Sequence, residues 1–485
     1  MEVTLGQQRV ASADGAGGPS RLVGVTLGVL GLVAISVHVW FLYDTALASL
    51  RELWAPADFM QSISAAVGYL VIALVALRRP EWVRPRLVGV ASALAIVVGA
   101  AAWLAGTQTS VVPLAVAGVC VAHLACSWPV VMVGISLTAL GNRRDLVTAC
   151  VLGEAIGVAL RCVLPHPSAA VAVPLSAVPP LLALAFSYGS AAPYLRREVS
   201  GKRAVSLADT NQESFLAPSH RLFVLVGLFE LIHGVALAEK SDGVGLATSL
   251  ATLAVVALGA ALLLRRRDIS HEDALLHAAA LMMLGGFMLR PLSGPEAVAS
   301  GALSFAGASF SWMLLWMALA SVGMGNPLGS LWTFGMGYVM QALGLALGAE
   351  LGNLALSQGE TVEHAVNVVN ALVTVGFVAY LLIGLRGFSF SRTFAEIVPV
   401  SAPEVSDDPD AAVTRGCAAL AAACELTGRE ADVLALLARG RSGAEIQEEL
   451  SISRNTAKTH VRHIYRKAGV HSQQELIDLV RERAR

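Results

Sequence analysis

Charge is what this chain has least of. Only 14% of its 485 residues are Asp, Glu, Lys or Arg, against about a quarter in soluble proteins, and 55% are hydrophobic. That balance excludes an ordinary water-soluble globule, and a formal net charge of -1 excludes a globally basic surface for nucleic acid. Any nucleic-acid chemistry must therefore sit in a local segment. Cysteine is also sparse: Cys120, Cys126, Cys150, Cys162, Cys417 and Cys424 include no C-x-x-C spacing, so neither a zinc site nor a disulfide framework is indicated. The four in apolar stretches read as small hydrophobes, whereas Cys417 and Cys424, seven apart on a predicted helix, leave a redox pair open. A phosphate-binding Gly-Lys loop, a G-x-S-x-G elbow and a His or Cys cluster with metal spacing are all missing from the sequence, so no enzymatic activity, metal or cofactor is expected.

What the chain does have is long apolar runs. A helix needs about 20 apolar residues to cross the hydrocarbon, because its backbone must be satisfied internally there. Such runs cover Leu22 to Tyr43, Phe59 to Leu77, Leu87 to Leu104, Val111 to Leu140, Leu146 to Leu164 and Val171 to Tyr188. After a polar interval come His220 to Ala238, Val244 to Leu264, Ala274 to Leu289, Val298 to Gly323, Leu328 to Gly348 and Ala365 to Leu385. The expectation is an all-α polytopic bundle of about twelve spans over residues 21–386, preceded by a flexible cytoplasmic N-terminus over residues 1–20. The first run is too long for a signal-peptide core and lacks a cleavage site. The run from Val111 to Leu140 contains Pro129 and is kept as one span.

Charge placement gives the orientation. Lys and Arg gather in alternate loops: Arg78, Arg79, Arg84 and Arg86, then Arg143 and Arg144, then Arg196, Arg197, Lys202 and Arg203, then Arg265 to Arg267. The intervening loops offer Arg51, Lys240 and Arg290. Positive-inside bias then puts both termini in the cytoplasm of a cell whose inner membrane holds the bundle, with lipid as its surroundings. The polar stretch from Gly189 to Ser219 divides the spans six and six, a layout that resembles the major-facilitator transporters; that resemblance implies a substrate cavity between two halves.

Ionisable residues inside spans are costly and mark candidate sites. Glu154 and Arg161 share one helical face two turns apart, and Glu230 and His233 are adjacent at three residues' separation. Each pair reads either as a buried structural pair or as a ligand or ion site for an unknown small molecule or partner protein. His38 and His123 read as packing residues before ligands. Phe310, Trp312 and Trp316 read as interfacial anchors, with a cavity lining as the alternative. Glycine pairs such as Gly24 with Gly28 and Gly344 with Gly348 carry little weight among 45 glycines.

Beyond Arg386 the composition changes. Residues 387–424 form a linker, in which SAPEVSDDPD cannot bury enough apolar surface to fold and Ala411 to Glu425 forms a short helix, a candidate dimer contact. Residues 425–485 read as four short helices. Capping boxes pair Thr427 with Glu430, Ser442 with Glu445 and Ser472 with Glu475, and Ser453 caps the third helix. Ser451 to Ser453 is the turn between the second and third helices. On the third helix Ala457, Val461, Ile464 and Ala468 form an inner stripe. Arg454, Lys458, Arg462 and Arg466 recur on another side, with Asn455, Thr459 and His463 beside them and no acidic residue among them. A merely solvated face would mix acids with bases; this one fits the major groove of double-stranded DNA.

The order Leu426-Thr427-x-Arg429-Glu430, Val433-Leu434, Gly440, Glu445-Ile446, Leu450, Ile452-Ser453, Thr456, Lys458, His460-Val461, Ile464-Tyr465 and Lys467 resembles the LuxR-type DNA-binding domain, with departures at Gln447, Ala457 and Gln474. The resemblance implies a third helix in the major groove and a homodimer on two promoter half-sites. It further implies that Lys458, Thr459 and Arg462 face base edges while Thr456 and Lys467 approach phosphates. Two functions are expected from the whole: a membrane-bound transcription regulator that senses a signal through its bundle, or a major-facilitator-like transporter with a regulatory DNA-binding tail.

Overall fold

The computed structural model describes residues 19–164, 167–204, 220–238, 245–265, 272–290, 295–325, 329–358, 361–386, 388 and 409–483. Every regular element among them is helical. The chain divides into two compact units, one made of residues 1–199 and 210–400, the other of residues 200–209 and 401–485. Each is described by itself.

In the first unit the opening apolar run does not stop at Tyr43. Helix α1 (Pro19–Phe41) passes through a π-helical turn, Leu42–Ala46, and continues into α2 (Ala48–Leu53), so the apolar span is Arg21–Leu53. Asp44 therefore lies inside a span, in the kind of local unwinding that often marks functional positions. Then follow α3 (Ala57–Arg78), α4 (Pro85–Gln108), α5 (Val112–Thr138), α6 (Arg143–Val163), α7 (Ala169–Ser176) and α8 (Val178–Ala204). Helix α5 runs unbroken through Pro129, as the single-span reading requires. The second set is α9 (Arg221–Ala238), α10 (Leu246–Arg265), α11 (Glu272–Met288), α12 (Pro295–Gly325), α13 (Ser330–Leu356) and α14 (Val362–Ala379). Among the described residues 11 helices are long and apolar enough to cross a membrane; the remaining expected span, Ala274 to Leu289, is the shorter apolar helix Asp273–Met288.

The two sets interlock. Helix α13 packs on both α9 and α3, while α6 packs on α1, α10 and α12. Arg21 forms a bidentate pair with Asp145, at 2.7 and 2.8 Å, so α1 and α6 begin on the same side of the bundle. Arg51, which stands apart from the basic loops, is held by Asp58 through contacts of 2.7 and 2.8 Å. Outward-facing Leu87, Leu94, Leu258, Leu372 and Leu382 are exposed, a liability in water and the normal state against lipid.

The glycine pair Gly344 and Gly348, discounted on frequency, matters in space. A Cβ at Gly344 would run into the carbonyl oxygen of Gly227, and one at Gly348 into that of Leu231, so these glycines let α13 and α9 approach backbone to backbone. Gly344→Ala is expected to force the two helices apart and to destabilise the bundle by about 1 to 3 kcal/mol. The measurement is the thermal midpoint in detergent, with Gly376→Ala as the silent control, because nothing lies within 4 Å of a Cβ there.

The second unit is built from α15 (Pro409–Ala423), α16 (Gly428–Ala438), α17 (Gly443–Leu450), α18 (Arg454–Ala468) and α19 (Gln473–Arg483). Val433, Leu434, Leu437, Ile446, Ile464, Leu476 and Val480 make one core, as their helical spacing predicts. The linker helix α15 is part of it: Cys417 and Leu420 are buried there, and α15 packs on α19 and α16. Burial pushes the Cys417 thiol up, away from the reactive thiolate, which argues against the redox pair.

Candidate functional site

Helix α18 is set by its ends. The Ser453 hydroxyl accepts from the Thr456 amide at 3.2 Å, and Gly469, at φ 68°, supplies the left-handed residue that closes it. Ala457 and Ile464 are buried, with Val461 and Ala468 packed beside them, which turns the opposite side outward. Arg454, Asn455, Thr456, Lys458, Thr459, Arg462 and Arg466 are all exposed. At 1.5 Å per residue the helix is about 22 Å long, enough to lay several turns of donors along a groove about 12 Å wide.

Two of the residues picked from sequence point elsewhere. Lys467 Nζ donates to Glu430 Oε2 at 2.8 Å and to the carbonyl of Glu425 at 3.0 Å. His463 Nδ1 lies 3.5 Å from Glu430 Oε1. Glu430 is 4% exposed and serves two purposes: it caps α16, accepting from the Thr427 amide at 2.9 Å, and it anchors α18 from below. Sequence spacing found the first purpose and missed the second, because Glu430 and Lys467 stand 37 positions apart and their contact crosses the fold. Two of the expected capping boxes, Thr427 with Glu430 and Ser442 with Glu445, form in full. In the third the Ser472 hydroxyl accepts from the Glu475 amide at 3.2 Å, but the carboxylate takes the amide of His471 at 2.9 Å instead of that of Ser472.

These carboxylates give the unit a directed acid response. The hydrogen bond from Lys467, then that from the Thr427 amide, pulls the Glu430 carboxyl down from 4.5 to about 2. The Ser442 amide does the same for Glu445, again to about 2. A folded-state value below the unfolded one contributes stability that is complete above the unfolded value and fades as protons bind the folded state. The stability of residues 409–485 is therefore expected to be flat above about pH 5 and to fall between 4.5 and 2, the range spanned by those shifts. Urea midpoints against pH check this, and Glu430→Gln should flatten part of the slope.

Glu154, Arg161, Glu230 and His233 meet inside the membrane unit. Glu154, Arg161 and His233 line one cavity of about 80 Å³, together with Asp44, Phe305 and Trp312. Glu230 stands behind it, accepting from Trp312 Nε1 at 2.7 Å and lying 3.2 Å from His233 Nδ1, so the adjacency of Glu230 and His233 is realised. The ion pair of Arg161 runs to Asp44, at 2.6 Å, and the guanidinium sits 4.5 Å from the centre of the Phe305 ring. The apolar run from Leu22 to Tyr43 stops one residue short of Asp44, and the continuation of the helix to Leu53 is what brings Asp44 inside the span.

A second cavity, of about 60 Å³, shares Val39, Tyr43 and Trp312 with the first and is lined also by His38, His123 and Tyr338. His38 and His123, far apart in sequence, stack with ring centres 5.9 Å apart. The aromatic residues of α12 are corrected from interfacial anchors to interior ones. Phe310 and Trp316 are each 3% exposed, and Trp312 lines both cavities. The reason is position: α12 extends from Pro295 to Gly325, which places all three in its interior turns and not at a helix end.

Comparison with known proteins adds the family. Residues 425–480 match the family described as GerE, bacterial regulatory proteins, luxR family. The HTH-type transcriptional activator RamA of Corynebacterium glutamicum is 39% identical over 57 residues, 12% of this chain and 20% of that protein. The uncharacterized response regulatory protein YgeK of Escherichia coli K12 is 45% identical over 53 residues, 11% of this chain and 36% of that protein. The chain thus spans about a fifth and about a third of these two relatives. Among solved structures, the E. coli fucose:proton symporter FucP aligns with 74% of this chain and 98% of its own at 14% identity and a TM-score of 0.46. The proton:xylose symporter XylE aligns with 78% and 99% at 13% identity and a TM-score of 0.48. Capped helices, a buried inner stripe and an exposed cationic face agree with the sequence match: residues 425–480 are a LuxR-type helix-turn-helix DNA-binding domain, carried by a chain whose described elements are all helical and rich in apolar spans.

Proposed function

We propose that the protein is a membrane-bound bacterial transcription regulator: its bundle responds to a signal, and α18 binds promoter DNA as half of a homodimer. One observation carries the reading. The outward side of α18 presents Arg454, Lys458, Arg462 and Arg466 with Asn455 and Thr459, unmixed with acids, on a domain joined in the same chain to apolar spans. The bundle sits in the inner membrane with both termini in the cytoplasm, supported by the alternation of basic loops. Tethering raises the effective concentration of neighbouring domains, so a modest change in bundle association or packing shifts operator occupancy. The polar cavity around Glu154 and Arg161 is the sensing site in this reading.

A second reading, a carrier with a regulatory tail, draws on that same cavity. Chromatin immunoprecipitation of the native protein is expected to return discrete promoters, lost on deletion of residues 425–485. Recovery of no enriched DNA, or extracellular labelling at Arg485, rejects the regulator; saturable uptake into proteoliposomes that persists without residues 425–485 establishes the carrier.

A further inference from the structure

We propose that the bundle cavity takes a small organic cation, an amine with an apolar body and an oxygen acceptor. The inference deepens the sensing reading and rests on it for its biological meaning. Its basis is an imbalance of buried charge. Asp44 and Glu154 both line the cavity, and the cation lining it, Arg161, is committed to Asp44 at 2.6 Å. Glu230, the neighbouring carboxylate, is already occupied by Trp312 and His233. Glu154, hydrogen-bonded to Ser36 and Ser309 but with no ion pair of its own among the described residues, adds a second carboxyl to a space walled by aromatic rings, and a buried carboxylate without a counter-ion is costly. A bound ammonium removes that cost and gains from the rings of Trp40, Phe305 and Trp312, which attract cations.

A second feature specifies the oxygen. Arg161 is nine-tenths buried, its side chain 10% exposed, and its Nε has no hydrogen-bond partner among the described residues. A hydroxyl or carbonyl of the guest satisfies it. Size follows from the two adjoining spaces of about 80 and 60 Å³, which together approach the ~150 Å³ that holds a benzene-sized guest. Because Tyr43 and Trp312 border both spaces, a guest spanning them displaces one of these rings, and moving Trp312 breaks its bond to Glu230 on α9. Occupation of the cavity is thereby linked to the packing of α9 against α12.

The test uses the purified full-length protein in detergent and three isosteric probes: 2-amino-1-phenylethanol, its neutral analogue 1-phenylethane-1,2-diol, and the anion mandelate. Binding is read by tryptophan fluorescence and by the shift in thermal midpoint. The amine is expected to bind at least about tenfold more tightly than the diol, as one buried charge interaction requires, with mandelate weaker still. Glu154→Gln should erase the preference for the amine while leaving the weak binding of the diol. Equal binding of amine and diol, preference for mandelate, binding of none of the three at millimolar concentration, or a preference that survives Glu154→Gln overturns the proposal. The wild-type series needs no substitution, so a variant that fails to fold does not shield it. Promoter occupancy is measured separately: amine binding without a change in occupancy rejects the sensing role and keeps the site, and the reverse result rejects the site alone.

Discussion

Replacing Lys458 and Arg462 together by Ala is expected to weaken operator binding by about 2 to 6 kcal/mol, or roughly thirtyfold to more than ten-thousandfold, without unfolding the domain. Both side chains are exposed on the outer side of α18, so their loss leaves the core of Ile464, Leu434 and Leu476 intact. They sit four residues apart, one turn of helix, where each can reach a separate base pair; contacts of that kind are worth about 1 to 3 kcal/mol each. The loss should be specific: the ratio of affinity for operator over scrambled DNA falls with the double substitution. Lys467→Ala is expected to act differently. Its amine is held by Glu430 and the Glu425 carbonyl, so its removal strips a buried carboxylate of its partner and lowers the stability of the domain first. Gel shifts of residues 409–485 against salt, alongside urea unfolding, separate the two effects. An unchanged operator-to-scrambled ratio in the double variant rejects α18 as the reading helix.

The contrast between Lys458 and Lys467 shows what was legible in the sequence and why. Helical period and caps are local properties, so the division of α18 into a buried stripe and a cationic side could be read directly, as could two full capping boxes. Whether a lysine near the end of that helix points to solvent or back to α16 depends on a contact across the fold, which spacing does not encode. The membrane unit repeats the lesson. Long apolar runs gave the spans, because lipid imposes a length on each helix independently. The partner of Arg161 did not follow, since it lies on α1 beyond a π-helical turn that periodicity does not announce. Nor did the stacking of His38 on His123 or the backbone approach at Gly344, each set by which helices neighbour one another. Four ionisable residues chosen only because hydrocarbon penalises charge did gather at one interior place, since such charges must share whatever polar space the bundle provides.

That shared space makes the Asp44 and Arg161 pair the most sensitive point of the bundle. Its members are 3% and 10% exposed by side chain and 2.6 Å apart. Removing either leaves the other charged and buried, so Arg161→Ala or Asp44→Ala alone is expected to cost about 3 to 5 kcal/mol. Removing both eliminates the desolvation of each together with their attraction, and the double variant should therefore be far more stable than the sum of the singles predicts, with a coupling of about 2 kcal/mol or more. Thermal midpoints in detergent across the four proteins of this cycle measure that coupling; strictly additive losses reject the pair as an energetic unit. The cycle also separates scaffold from recognition. With Asp44 and Arg161 both replaced by Ala, Glu154 remains as the unbalanced carboxylate of the cavity, so a preference for cationic over neutral guests should persist while the contribution of the Arg161 Nε to the guest oxygen disappears. Loss of the charge preference in a double variant that still folds would instead place the recognising charge on Asp44, with Glu154 as its support.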